Sequence, residues 1–253
     1  MDLKESELLG DAVGRHFYYA AKGAALRKLL GGEPADQVLD VGAGSGVFSR
    51  QLLDAHLARS AVCVDVGYPR DWTELHGGKP IHFVREARPG RQNDLLLMMD
   101  VLEHVDDDQS LLRQYTSGLS EHARVVITVP AFQWMWSGHD VFLEHRRRYT
   151  LSQLEALVRR EGLEVETGCY FFGALFPALA MTRVWSRISS PDRSPAPRNE
   201  LKQYPSWLNA ALTRIHELER RTIFPANRWA GLTVFCLARP AAARARAPGA
   251  ALR

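Results

Sequence analysis

The sequence predicts an α/β fold: an open, mostly parallel sheet with helices on both faces and a helical insertion before the last strand. Three observations carry this. The run Val38-Leu-Asp-Val41 breaks into Gly42-Ala-Gly44-Ser-Gly46, a short buried strand that delivers the chain into a tight turn. A second apolar run, Ala61-Val-Cys-Val64, ends on Asp65 after one intervening helix-length segment. Short β-branched runs then alternate with helix-period segments to about residue 170, the pattern of parallel strands joined by crossover helices.

Taken in order, Glu7–Leu30 carries Leu8, Leu9, Val13, Phe17, Ala20, Ala24 and Leu29 at three- and four-residue spacings and stops at Gly31-Gly32, so it reads as one or two helices. Val38–Val41 is the first strand, Val47–Ala58 a helix and Ala61–Val64 the second strand. A loop follows, then a strand at Ile81–Val84 and another at Asp94–Met99. Gln109–Ser120 is a helix, Val125–Val129 a strand, Leu151–Glu161 a helix and Glu164–Tyr170 a strand. Thr150-Leu-Ser152-Gln-Leu-Glu155 supplies a hydroxyl cap, from Thr150 or Ser152, with an acidic residue three positions after the latter.

Beyond Tyr170 the chain departs from simple alternation. Tyr170–Met181 is strongly apolar, and Arg183, Trp185, Arg187 and Ile188 then make it amphipathic; Pro177 and its length rule out a bilayer span. It reads as a lid, a core helix or a membrane-contacting segment, with peripheral membrane contact through 170–188. Ser189–Arg198 is a Pro/Ser/Arg loop, Trp207–Thr222 a helix, and Leu232–Ala238 the last, antiparallel strand. The organisation is thus a helical cap at 1–35, a core at 36–170, a lid or insertion at 171–230, a closing strand at 231–238 and a tail at 239–253. Ala241–Arg253, rich in Ala, Arg and Pro, is expected to be disordered.

With 253 residues, 46% of them hydrophobic, the chain can bury one sizeable core. A net charge of +3 without a dominant Lys/Arg face argues against nucleic acid as a partner. Cys63, Cys169 and Cys236 lie in apolar runs without metal or pairing spacing, as buried thiols of a reducing compartment do. The acidic, polar start is no secretory signal, so the expected location is the cytoplasm, or the inner face of its membrane.

The glycine turn and Asp65 together describe a nucleoside pocket, because an acidic side chain at the second strand end accepts both ribose hydroxyls. Dinucleotide folds space their glycines Gly-x-Gly-x-x-Gly to seat a pyrophosphate on a helix N-terminus. Here the spacing is Gly42-x-Gly44-x-Gly46, with Asp40 just before the turn. A carboxylate there opposes a pyrophosphate and suits a cationic amino-acid end, which favours S-adenosylmethionine over NAD.

These motifs, with Asp94-Leu-Leu-Leu-Met-Met-Asp-Val-Leu-Glu-His-Val105 and Val125-Val-Ile-Thr-Val-Pro130, resemble the class I S-adenosylmethionine-dependent methyltransferases. The likeness is to the small-molecule O-methyltransferases of ubiquinone biosynthesis. It covers about residues 36–170, with a weaker echo at Gly231–Ala238. The resemblance implies a Rossmann-like, seven-stranded, mostly parallel sheet. It also implies S-adenosylmethionine as cofactor and S-adenosylhomocysteine as product. Asp40, Gly42, Ala43, Gly44 and Gly46 would form the cofactor turn, with Asp65 and Val66 at the ribose and Glu86 facing the adenine. Arg85 departs from the family's usual pattern there. Met99, Asp100 and Val101 would line the cofactor. Tyr19, in the cluster His16–Tyr19, and Lys22 could fold over it, Lys22 meeting the methionine carboxylate; equally, these aromatics could pack a helix onto the core.

Asp100, Glu103 and His104 could hold a divalent ion, as a similar cluster does in some ubiquinone enzymes, although solvated or capping roles are commoner. The segment Ala131–Thr150 is the most individual part of the chain. Trp134 and Trp136 would cover the apolar part of an amphiphilic acceptor, with Arg146, Arg147, Tyr149 and Phe171 also at the acceptor. His139 beside Asp140, His145 beside Glu144, or His104 could act as general base; equally, the histidines could hold the loop by hydrogen bonds and Arg146–Arg148 could pair with surface carboxylates. The sequence therefore reads as a methyltransferase acting on an oxygen of a small, partly apolar, anionic or lipid-linked acceptor. Nitrogen or carbon methylation, and a non-catalytic cofactor-binding protein holding a partner through residues 131–150, stand as alternatives. A nicotinamide oxidoreductase is disfavoured by the glycine spacing.

Overall fold

The structure, a computed structural model, describes residues 10–189, 196–199 and 202–241. The expected disordered tail beyond Ala241, the acidic N-terminus and most of the Ser189–Arg198 loop lie outside these residues.

Eight strands form one sheet: β1 (Ala35–Val41), β2 (Ala58–Val64), β3 (Trp72–His76), β4 (Lys79–Val84), β5 (Leu95–Met99), β6 (Arg124–Pro130), β7 (Leu163–Phe171) and β8 (Thr233–Pro240). Their order is β3-β4-β2-β1-β5-β6-β8-β7, and β3 and β8 run against the rest. Helices α1 (Phe17–Leu29), α2 (Val47–Asp54), α3 (Asp108–Thr116), α4 (Gly138–Phe142), α5 (Leu151–Arg160), α6 (Phe176–Ser189) and α7 (Ser206–Thr222) connect and cover it.

Alternation along the strands builds two cores. Val38, Leu95, Leu97 and Met99 face α1 and α2 through Leu26, Phe48 and Leu52. Leu39, Leu96 and Met98 face α3 and α5 through Leu112, Leu154 and Val158. Every side chain of β5 is buried, as expected of a central strand covered on both faces. Each such Leu contributes about 1.5–3 kcal/mol of transfer free energy. Cys63, Cys169 and Cys236 are buried thiols.

The sheet has one strand more than the seven expected. The segment read as a loop holds β3, an antiparallel edge strand hairpinned to β4 through Gly77-Gly78, both at positive φ (57° and 80°). A two-residue turn of that hand matches strand twist, and Trp72 stacking on Phe83 at 4.4 Å secures the pair. At α5 the cap is Thr150, which accepts from the Gln153 amide; Gln153, not Glu155, returns the second bond of the capping box.

Helix α7 docks on α1, where Asn209 Oδ1 accepts from Phe17 N at 2.8 Å and Asn209 Nδ2 donates to Arg15 O at 2.9 Å. The core-helix reading of 170–188 fails, since no residue of α6 is buried.

Candidate active site

The carboxyl ends of β1, β2 and β5 open into a cavity of about 570 Å³ walled by Gly42, Asp65, Val66, Asp100, Val101 and Arg146, among others. Ligands of open α/β sheets lie at this edge. Gly42 and Gly46 sit at φ +65° and +70°, and a Cβ on Gly42 would stand 2.7 Å from Val101 Cγ2. Only glycine meets both demands. Asp65 holds the turn as well as facing the cavity: Oδ2 accepts from Gly44 N at 3.0 Å and Oδ1 from Gly67 N at 2.9 Å. Tyr68, which sequence reasoning missed, donates its hydroxyl to Gly44 O at 2.6 Å from a buried position.

Asp40 lies beneath the turn, buried, accepting from Ser49 Oγ at 2.7 Å. Burial raises its carboxyl to about 6, against the lowering effect of the Ser49 hydrogen bond. A raised carboxyl favours folding while protonated, so this contribution is full below about pH 4 and lost as pH rises through about 6. Asp40→Asn should therefore stabilise the ligand-free protein by about 1–3 kcal/mol at about pH 8. Denaturant midpoints of the two proteins should converge near pH 4.

Asp100 follows β5 at φ +58°, a left-handed conformation that costs energy for a residue with a side chain. Its carboxylate forms an ion pair with the fully buried Lys22 and accepts from Tyr18 OH at 3.1 Å and Thr128 Oγ1 at 3.0 Å. Burial pushes this carboxyl up, but the Lys22 charge and hydrogen bond outweigh it and hold it below the ordinary range. The hub joins α1 to the tips of β5 and β6.

On the other side of Asp100 lies a second cavity of about 410 Å³. Its walls are mainly apolar, from Phe17, Met135, Phe172, Leu179 and Leu212, with Glu103, His139, His145, Arg148 and Arg183 as polar groups. Asp100, His104 and Leu143 line both cavities, so the two meet there. Asp100, Glu144 and Phe172, all walls of these cavities, are non-glycine residues at positive φ. Such strain concentrates at functional sites.

A methyltransferase-domain family model matches residues 15–167, more than half of the chain. The chain belongs to the methyltransferase domain family. A ubiquinone biosynthesis O-methyltransferase from Escherichia fergusonii is 32% identical over 141 residues, 52% of this chain and 51% of that protein. The chain thus spans about half the length of this curated relative. A phosphoethanolamine N-methyltransferase 2 from Haemonchus contortus, solved with S-adenosyl-L-methionine, superposes with TM-score 0.54 at 14% identity, covering 95% of this chain and 57% of that one. A SAM-dependent methyltransferase from Archaeoglobus fulgidus gives 0.50 at 14% identity, covering 94% and 98%. These likenesses show that the fold is that of the class I S-adenosylmethionine-dependent methyltransferases.

In this member of the methyltransferase domain family the structure redistributes several expected site residues. Tyr19 is buried against Tyr18 and Phe48, and its neighbour Tyr18 faces the second cavity. Lys22 lies under Asp100 at zero exposure. Met99 is buried in the core. Glu86 is exposed, in a shallow depression with Asp71 and Arg85 that adjoins the first cavity through Val66. Ala43 and Gly44 belong to the turn without lining the cavity.

The acceptor-side assignments shift too. Phe171 ends β7 inside the core, packed on Phe224 and Phe235, and Phe172 takes the cavity wall. A 3-10 turn at Gln133–Met135 points Met135 into the cavity, while Trp134 packs edge-on to Phe176; neither Trp134 nor Trp136 lines it. Arg147 is occupied by Asp108 and the carbonyls of Val105 and Asp106. Tyr149 donates to Asp108 and to Leu102 O. Arg146 borders the first cavity.

Among the histidines, His104, His139 and His145 all line the second cavity. Asp140 serves His145 rather than His139: Oδ1 lies 2.9 Å from His145 Nδ1, and Arg148 clamps the same carboxylate at 2.6 and 2.9 Å. A capping box in which Ser137 N donates to Asp140 at 2.8 Å fixes the rotamer. Burial pushes Asp140 up, and its bonds to His145 and Arg148 outweigh this and hold it well below the carboxylate range.

Glu103 is fully buried, and neither carboxylate oxygen has a hydrogen-bond partner among the described residues. Burial, then the nearby Asp100 charge, push it well above its ordinary value. Burial and His145 lower His104 to about 4, so it is neutral near physiological pH. Donor atoms of Glu103, His104 and His145 lie within 4.8 Å of one another. Among the described residues the set able to grip a divalent ion is therefore this one, not the expected Asp100, Glu103 and His104, because Asp100 is engaged by Lys22. The unpartnered Glu103 carboxylate fits a cation, and two imidazoles suit a transition metal.

Proposed function

We propose that this methyltransferase moves the methyl group of S-adenosylmethionine to an oxygen of a small, partly apolar acceptor, including anionic or lipid-linked molecules. The observation that carries this reading is the meeting of two unlike cavities at Asp100 and His104. The adenosyl part occupies the first, with Asp65 on the ribose and Gly42 and Val101 against the methionine. The acceptor enters the second, its apolar body against Phe172, Leu179 and Leu212 and an anionic group near Arg183.

The transfer is an in-line displacement, so positioning does most of the work. His145 takes the acceptor's hydroxyl proton; the oxygen then attacks the methyl carbon, and the carbon–sulfur bond breaks with its electron pair remaining on sulfur as S-adenosylhomocysteine. Asp140 keeps the Nδ1 proton on His145, which leaves Nε2 as base. An ion held by Glu103, His104 and His145 would instead lower the acceptor hydroxyl's pKa. Contact with a membrane through 170–188 belongs to the same reading, since it brings the enzyme to apolar acceptors.

Turnover with methyl-labelled S-adenosylmethionine across amphiphilic phenols, carboxylic acids and amines tests it. Label on oxygen is expected; label found only on nitrogen or carbon, or no turnover with any acceptor, contradicts it. If His145 is the base, activity should survive exhaustive chelation, whereas recovery only on adding a divalent metal would favour the ion.

A further inference from the structure

Helix α7 buries the wrong residues for a helix that only packs. Its exposed positions include Trp207 and Leu218, whereas the two buried ones, His216 and Glu219, are polar. Burying polar groups costs free energy unless they are hydrogen-bonded, and apolar side chains would fill the same space without that cost. Glu219 is fully engaged. Its Oε1 accepts from Gly173 N at 2.6 Å, while Oε2 accepts from Ala174 N at 3.4 Å and lies 2.9 Å from His216 Nδ1. The His216 ring sits against Phe17, Phe171 and Phe172, with centroids 6.0, 5.8 and 4.7 Å away. Its Nε2 has no hydrogen-bond partner among the described residues, so the polar role of the imidazole is directed at Glu219.

The contact acts where the chain leaves β7 for α6. Phe172 stands there at φ +62°, a conformation that a phenylalanine keeps only where its surroundings fix it. The amide that follows, Gly173 N, is the one Glu219 takes. A Cβ on Gly173 would stand 3.1 Å from Asn227 Nδ2, 3.2 Å from Ala230 O and 3.3 Å from Glu219 Oε1, so this peptide lies close against the carboxylate. Phe172 and Leu175, on either side of it, wall the acceptor cavity, as do Leu212 of α7 and Phe17 of α1. The opposite end of α7 holds α1 through Asn209, which bonds Arg15 O and Phe17 N. One helix thus ties two sides of the cavity together, and Glu219 is its grip on the second.

We propose that Glu219 is a positioning residue of the acceptor cavity. By gathering the Gly173 and Ala174 amides and His216, it fixes Phe172 and the entry to α6, and so sets how tightly an apolar acceptor is held. It touches neither cofactor nor acceptor and acts through Phe172. The inference rests on reading this cavity as the acceptor's, and it is independent of which atom is methylated.

Fluorescence titration of the full chain with anilinonaphthalene sulfonate, an apolar anion, tests this without turnover. The wild type is expected to bind the probe, and Leu212→Glu, which puts a negative charge in the cavity wall, should abolish that binding and mark the cavity as its site. Glu219→Leu should weaken the probe about ten-fold by leaving two amides unpaired, and Glu219→Gln, which keeps an oxygen for Gly173 N, should recover most of the loss. Affinity for S-adenosylhomocysteine should stay unchanged in both. If Glu219→Leu does not fold, His216→Phe keeps the ring packing, removes the bond to Glu219 and should weaken the probe about three-fold. Probe affinity unchanged in Glu219→Leu, or in His216→Phe where that variant replaces it, overturns the proposal. So does a wild type that does not bind the probe in the cavity, or an equal loss of S-adenosylhomocysteine affinity, which would mark a general structural role. With an acceptor in hand, Glu219→Leu should raise its KM by the same factor with kcat nearly unchanged, and a fall in kcat alone overturns the proposal. A wild type without turnover counts against the proposed function, and the probe titrations then decide the role of Glu219 by themselves.

Discussion

Lys22→Met is expected to destabilise the protein by about 3 kcal/mol, because it strands the Asp100 carboxylate without its counter-charge. Lys22 is a fully buried residue of α1, and among the described residues Asp100 keeps only the hydroxyls of Tyr18 and Thr128 once the ammonium is gone. At this chain length the loss corresponds to a melting temperature lower by roughly 6–12 °C. Asp100 in the natural protein is held ionised, a contribution lost as pH falls through its depressed value. In Lys22→Met it can protonate, so the deficit should shrink toward acid pH. Adding Asp100→Asn should recover part of the loss at neutral pH, since a neutral amide needs no counter-charge. Calorimetric melts of the two single variants and the double variant read this directly.

The largest expected effect on activity is at His145. If it is the proton acceptor, His145→Ala should lower kcat by about 10²–10⁴ with little change in cofactor affinity. Asp140→Asn should act through His145. It removes the charge that fixes the Nδ1 proton, and it leaves Arg148 without its carboxylate at a nearly buried position. Its signature is therefore a lower kcat, a displaced acidic limb of the pH–rate profile and a loss of stability. The Asp140 share of stability in the natural protein is present above about pH 4 and lost as acid protonates the depressed carboxyl. A fall in stability with an unchanged pH profile would make Asp140 a structural residue only.

Local pattern made the frame of this molecule legible. The strand Val38–Val41, its glycine turn and the acidic end at Asp65 lie within one strand–helix–strand unit, and their chemistry is a matter of neighbours in sequence. The hairpin at Gly77-Gly78 is equally local, since alternating Trp72–His76 before a two-glycine turn is a hairpin signal. The candidate site depends on contacts that no local pattern encodes. Lys22 meets Asp100 across 78 residues, and burial rather than spacing selects that pair. Asp140 reaches His145 because α4 turns the chain between them, although His139 is adjacent in sequence. Phe172 rather than Phe171 meets the cavity where the chain leaves β7 through a left-handed residue. The aromatic and basic character of Ala131–Thr150 marked a site, but Trp134 and Arg147 pack it while Met135, His139 and His145 face its interior.

On the function proposed above, the cavity beside the glycine turn holds the adenosyl cofactor through Asp65. Calorimetric titration of S-adenosylhomocysteine into the wild type and Asp65→Ala measures this. A single site is expected in the wild type, weakened by about 1–3 kcal/mol in the variant through lost charge-assisted hydrogen bonds. Equal affinity in the two proteins, or no binding to the wild type, would contradict it.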